Sequence, residues 1–278
     1  MLRNKVIYFW VNVVFMVAAL CFVDYNGLFG TEFKWPSILG AIGLFLLVHI
    51  ARFIRMYFIL LEDLIRPSRF LQLYVKTTFV STLIPFKIGE LFKAYCYGEE
   101  TGSLMKGVMA VVIEKFFDAI VLCLFMIPYV LKDGVFNPLL TILVVFAILM
   151  VVIYFSFEGT YKYLNSFLVC RGGGRKTLVA LKLLEGAKRA YDGARRTLRG
   201  RSILLLFLSL LAWGLEGALL VVLNPSSGLD FGVATSYVSD AFFGVNNVSF
   251  GRYVYLCAII FFIVLLMIYG KKYLARRK

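Results

Sequence analysis

Apolar runs of near-spanning length recur along the chain, separated by shorter polar stretches. They fall at about 6–23, 37–61, 107–131, 138–157, 202–223 and 252–270, and each approaches the roughly 20 residues an α-helix needs to cross the hydrocarbon core. Two further stretches, 68–103 and 225–251, are apolar but interrupted. The pattern predicts an all-α integral membrane protein: one membrane domain over 1–278, about six transmembrane helices, and one or two re-entrant helical hairpins. The first run follows Arg3 and Lys5 as a signal peptide would. The sequence Cys21-Phe-Val-Asp-Tyr25 offers no small-residue cleavage site, so the run is read as the first membrane helix.

Charge then orients the spans. The 24–36 loop sets Asp24 and Glu32 against Lys34, whereas 158–201 carries eleven Lys or Arg against Glu158, Glu185 and Asp192. Basic loops stay cytoplasmic, so the large loop lies inside, with Arg3, Lys5 and the basic 271–278 tail beside it. Both termini are then cytoplasmic, and the 68–103 stretch must enter and leave on that same side. Within the loop, Leu184, Ala187, Tyr191, Ala194 and Leu198 recur at helical spacing while basic residues occupy other positions. This predicts a cytoplasmic amphipathic helix over about 176–200, lying on the inner leaflet or packed under the bundle, with specific headgroup recruitment by its basic face as the alternative.

The interrupted stretch 68–103 holds the most specific chemistry. A helical pattern from Phe70 meets Ile84-Pro85, where proline removes an amide donor and forces the preceding residue out of the helical region. A second helix restarts at Ile88, with Gly89 permitting close approach and Glu90, Lys93 and Tyr97 on neighbouring turns. Amides freed at such a restart, beside Lys87, suit a phosphate. A proline-kinked pair of interfacial helices with solvated charges is the alternative.

Farther along, Glu114, Lys115 and Asp118 interrupt the 107–131 run about two turns in. Ionisable groups there are costly in lipid and should face the bundle interior, either as an ion pair locking this helix to its neighbours, for example to Lys93 or Arg52, or in the path of a headgroup. His49, Arg52 and Arg55 follow one another at i+3 on the second span. The arginines either snorkel to the interface or turn inward, and His49 reads as a packed histidine.

Composition removes most other classes. With 61% hydrophobic residues and a mean hydropathy of +0.86, the chain exceeds the roughly 45–50% apolar content of soluble domains. The net charge of +14 sits mostly beside apolar spans, where it meets anionic headgroups rather than nucleic acid. One histidine and five cysteines without C-x-x-C spacing exclude the usual metal sites. No nucleophile, kinase or protease motif appears, and the expectation is a non-enzymatic protein without catalytic residues, metal or cofactor.

The tandem of Pro85-Phe-Lys87-Ile-Gly89-Glu90-Leu-Phe-Lys93-Ala-Tyr95 and Glu114-Lys115-Phe-Phe-Asp118 resembles the flippase-like family named for the transmembrane region of lysylphosphatidylglycerol synthase. That family's pattern is approximately P-x-R-x-G-E-x-x-[RK]-[AG] followed by E-[RK]-x-x-D, with Lys87 here replacing the usual arginine. The likeness is good over about 40–160 and fair in the region of the first span. A second loop of the type L-P-x-x-x-G-G-x-G-x-x-E is not matched by 229–252, which has glycines, Asp230 and Asp240 instead.

The resemblance implies a plasma-membrane protein that translocates, or helps assemble, phospholipids, aminoacylated phospholipids or polyprenyl-phosphate glycolipids. On that basis Arg52, Arg55, Lys76, Lys87, Gly89, Glu90 and Lys93 are expected to bind a lipid phosphate, Glu114, Lys115 and Asp118 to form a buried charge network, and Pro85 to break the helix. A noncatalytic assembly subunit working with lipid or glycan synthesis enzymes is the second expectation. An integral membrane transferase is the third.

Overall fold

The computed structural model describes residues 7, 10–17, 35–84, 88–133, 138–170, 174–223 and 248–275. The described residues are helical apart from short turns, and none is in a strand. Helix α1 covers 10–17. It is followed by α2 (Trp35–Ile59), a 3-10 turn (Leu61–Asp63), α3 (Pro67–Leu83), α4 (Ile88–Thr101) and α5 (Leu104–Asp133). Helices α6 (Pro138–Cys170), α7 (Arg175–Leu198), α8 (Ser202–Leu223) and α9 (Val248–Ala275) complete the order. Pro85, Lys87 and most of the second interrupted stretch lie outside the described residues.

Local chemistry explains the boundaries around α3 and α4. Pro67 occupies the first turn of α3, where its missing amide costs no hydrogen bond. Ile84 is extended, with φ −84° and ψ 118°, the conformation steric conflict with a following proline imposes. Helix α4 ends at Gly102, which adopts φ +71°, and the Ser103 amide donates to the Gly98 carbonyl at 2.9 Å. This left-handed closure needs a residue without a Cβ and turns the chain straight into α5.

Helices α2, α6 and α8 contain segments long and apolar enough to cross a membrane: Leu39–Ile59, Leu140–Cys170 and Ser202–Leu223. The apolar part of α9, Tyr253–Met267, is shorter. Helix α5 has 30 residues, but Glu114, Lys115 and Asp118 divide its apolar face. The 138–157 run continues as helix to Cys170, since Glu158 to Asn165 mark a change in polarity without containing a proline. At about 1.5 Å per residue its 33 residues extend about 50 Å, well beyond a hydrocarbon core of about 30 Å.

Packing places α2 along α8, α4 between α3 and α5, and α9 against α3. Helix α6 is peripheral: 11% of its apolar window is buried, against 39% for α2 and for α8. The α4–α5 contact is backbone to backbone, because a Cβ on Gly107 would collide with the Ala94 carbonyl and the Gly98 backbone. A Cβ on Gly89 would likewise strike Ser81 and the Val80 carbonyl, so the two arms on either side of the break touch. Phe45, Phe70, Phe79, Phe92, Leu205 and Leu219 fill the interior between these helices.

The amphipathic helix appears as α7, with Ala190, Tyr191 and Ala194 buried. Tyr191 stacks on Phe157 at a centroid distance of 4.5 Å and donates a hydrogen bond to the Tyr154 carbonyl at 3.0 Å. The apolar stripe of its C-terminal half thus packs against α6, while Leu178, Val179 and Leu183 nearer its start are exposed.

Candidate functional site

Four helices bring their ionisable side chains to one place. Arg55 of α2 donates to Asp118 Oδ1 at 2.6 Å and to Glu114 Oε1 at 3.0 Å, both on α5. It also donates to Ser209 Oγ of α8 at 2.6 Å, and its side chain is fully buried. Lys93 of α4 donates to the other Glu114 oxygen at 2.5 Å. Glu114 therefore bridges α2 and α4, one oxygen to each. Lys115 pairs with Glu90 at 2.8 Å and lies 3.9 Å from Asp118.

A second branch reaches α8. Arg52 pairs with Glu216 and lies over the Trp213 ring, 5.5 Å from its centroid. The Trp213 indole N–H donates to Asp118 Oδ1 at 3.0 Å. Arg55, not Arg52, is thus the α2 arginine that meets the α5 carboxylates. Four cations, Arg52, Arg55, Lys93 and Lys115, face four carboxylates, Glu90, Glu114, Asp118 and Glu216. Taking each charge out of water costs several kcal/mol unless it is paired and hydrogen-bonded, and the network meets that demand almost completely. Among the described residues, Arg55 Nε and Glu90 Oε2 are buried without a hydrogen-bond partner.

Surface ion pairs give the depth of the network. Asp63 with Lys106, Arg69 with Glu100, and Glu62 with Arg201 gather at one end of the bundle. Along α5, Asp118 is about 18 Å from Lys106, and along α8 Glu216 is about 21 Å from Ser202, by helical rise. By the same rise Lys93 is about 10 Å from Glu100 and Glu114 about 12 Å from Lys106, so the charges lie roughly two to four turns in from the ion-paired end of the bundle.

The other sequence-selected residues lie nearby. Lys76 donates to Asn12 Oδ1 of α1 at 2.6 Å, with Phe92 at 5.7 Å from its ammonium. Gly89 is buried in the first turn of α4. His49 is sandwiched between hydroxyls, with Tyr74 3.1 Å from Nδ1 and Tyr253 3.4 Å from Nε2, and Phe45 and Phe261 against its ring. Among the described residues no group of three His, Cys, Asp or Glu side chains is placed to hold a metal ion.

Sequence reasoning passed over Ser209, Trp213 and Glu216. The signal for Glu216 was present: a lone carboxylate inside the 202–223 apolar run requires a partner as much as Glu114 does. Nothing in the spacing marked Ser209 or Trp213, whose roles depend on α8 lying along α2.

The family description "Lysylphosphatidylglycerol synthase TM region" matches residues 9–245. The chain belongs to this family. With helices of spanning length, it is an integral membrane protein of a lipid-related family. No curated protein and no solved structure matches it.

Proposed function

We infer that the chain carries the phosphate-bearing headgroup of a lipid across the bilayer while the acyl or isoprenoid chains stay in the membrane. The observation that supports this reading is the depth and edge of the ionic network. A charge-balanced cluster holds no surplus for an anion until one carboxylate yields, and Glu90 is placed to yield. One of its oxygens is buried without a partner among the described residues, and the other holds Lys115. Lys115 is 33% exposed, against 19% for Arg52 and 6% or less for Lys93 and Arg55. A phosphate replacing Glu90 on Lys115 would meet the first-turn amides of α4 at Gly89, where the helix dipole favours an anion.

On this reading α3 and α4 form a re-entrant hairpin. Their 17 and 14 residues extend about 26 and 21 Å, each short of the core thickness. Their outer ends are tied together by Arg69–Glu100, and beside them Asp63–Lys106 ties the turn before α3 to the start of α5. The arrangement fits about six spans with both termini cytoplasmic, in the plasma membrane. The protein then acts on membrane lipids as a transporter rather than an enzyme, the substrate being a phospholipid, an aminoacylated phospholipid or a polyprenyl-phosphate glycolipid.

Near-complete pairing also favours a second reading, a noncatalytic subunit that binds lipid beside synthesis enzymes, because a satisfied network is a rigid scaffold. Headgroup quenching in proteoliposomes separates the two. Transport predicts faster exchange of at least one phosphate-bearing lipid than in empty vesicles. It also predicts about tenfold slowing by Lys115→Gln, the scale of one charge-assisted hydrogen bond, and no change with Arg189→Gln on α7. Exchange no faster than in empty vesicles for every such lipid leaves the scaffold reading.

A further inference from the structure

A second concentration of positive charge lies away from the buried network, at the end of α7. Asp192, Arg195, Arg196 and Arg199 recur at i, i+3, i+4 and i+7, which places them on one face, and they line a surface depression of about 300 Å³. The carboxylate of the group is turned aside, since Asp192 pairs with Lys188 at 3.0 Å. Arg195 reaches Glu158 only at 3.4 Å with both side chains about half exposed. Arg196 and Arg199 are exposed and have no acidic partner among the described residues. Three guanidinium groups therefore surround one carboxylate already held by a lysine.

Helix-dipole complementarity and the positive-inside bias account for basic residues near a cytoplasmic helix end. Neither requires three arginines on one face around a depression. The depth of the group adds a constraint. The apolar span of α8 starts at Ser202, three residues after Arg199, and Ile203, Phe207 and Leu211 are exposed at i, i+4 and i+8. That lipid-facing ridge begins within about one turn of the arginines, so they lie where acyl chains give way to phosphates. A planar guanidinium matches two phosphate oxygens at once, which an ammonium does not.

We propose that the depression bounded by Arg195, Arg196 and Arg199 binds the phosphate of an anionic phospholipid in the leaflet that α7 faces. The site is independent of the transport reading: a lipid held here sits at the periphery, beside α6 and α8, and no step through the ionic network is required.

Native mass spectrometry of the full chain in neutral detergent, titrated with phosphatidylglycerol or phosphatidylcholine, tests the site. Phosphatidylglycerol is expected to bind more tightly, and Arg196→Gln/Arg199→Gln to weaken it at least tenfold, about one charge-assisted hydrogen bond. Lys182→Gln/Arg189→Gln removes the same charge from α7 outside the depression and is expected to change it less than about threefold. Equal weakening by the two double variants, or equal binding of the two lipids by the wild type, overturns the proposal in favour of bulk surface charge. Displacement of phosphatidylglycerol by an equal concentration of inorganic phosphate overturns the lipid assignment and makes the depression a site for soluble phosphate.

Discussion

Arg55 and Arg195 each sit beside a glutamate or aspartate, yet the two regions use the pairing differently. Arg55 has no exposed side-chain surface and spends its guanidinium on Asp118, Glu114 and Ser209, three partners on two other helices. Arg195 is 53% exposed and meets Glu158 at 3.4 Å. In the bundle, loss of one partner strands the others in a medium that cannot solvate them. On α7, water replaces whatever is lost. Pairing is an obligation of the core and an option at the surface.

The sharpest way to break that comparison is to neutralise one carboxylate in each region. Glu114→Gln leaves Lys93 and Arg55 short of charge and is expected to cost about 3–5 kcal/mol, read as a large fall in Tm in detergent. Glu158→Gln should cost less than about 1 kcal/mol. Similar losses would mean that water reaches the Glu114 cluster freely.

Trp213→Phe sharpens the picture of the network itself. The phenyl ring keeps an aromatic surface near Arg52 but removes the donor to Asp118. The expected destabilisation is about 1.5–3 kcal/mol, the range for a hydrogen bond to a charged group. Because Arg55 still holds Asp118, this effect should stay below that of Glu114→Gln. The two denaturation midpoints measured side by side check the order.

Glycines extend the comparison from charge to packing. Gly107→Ala places a methyl against the backbone of α4 and should cost about 1–3 kcal/mol through overpacking. Gly159→Ala on peripheral α6 meets nothing within 4 Å and should stabilise by up to about 1 kcal/mol, the helix-propensity difference. Opposite signs in thermal unfolding support a rigid α4–α5 unit beside a loosely packed α6. Two losses of equal size would contradict it.

The smallest expected effect belongs to the surface pair alone. Arg195→Gln should change stability by less than about 1 kcal/mol, and added salt should shrink that difference further, since exposed pairs are screened. A salt-insensitive loss in a denaturation series would place Arg195 with the buried class.

Much of the fold was legible in the order of residues. The 202–223 apolar run coincides with Ser202–Leu223, because Arg199 and Arg201 on one side and Asn224-Pro225 on the other bound it. The stop at Leu83 and restart at Ile88 follow from Ile84-Pro85. The amphipathic pattern over about 176–200 corresponds to Arg175–Leu198, since helical spacing is a local property. The length of α6 was less legible: 158–170 is polar enough to suggest a loop, but polarity marks where a membrane ends and does not stop a helix.

Sequence by itself marked Glu114, Asp118 and, read with the same rule, Glu216 as groups too costly to leave in lipid, and left Arg52, Arg55 and Lys93 open between the interface and the interior. Their scarcity in apolar runs is a one-dimensional signal, and burial of an ionisable group always demands a partner. Only the tertiary structure decided who the partners are. Arg52 and Arg55 are three residues apart on one helix, yet one meets α8 and the other α5. The choice rests on which helices flank α2 and on which turn of each faces it. Those quantities are set by side-chain packing along whole helices, and no local spacing of charged residues contains them.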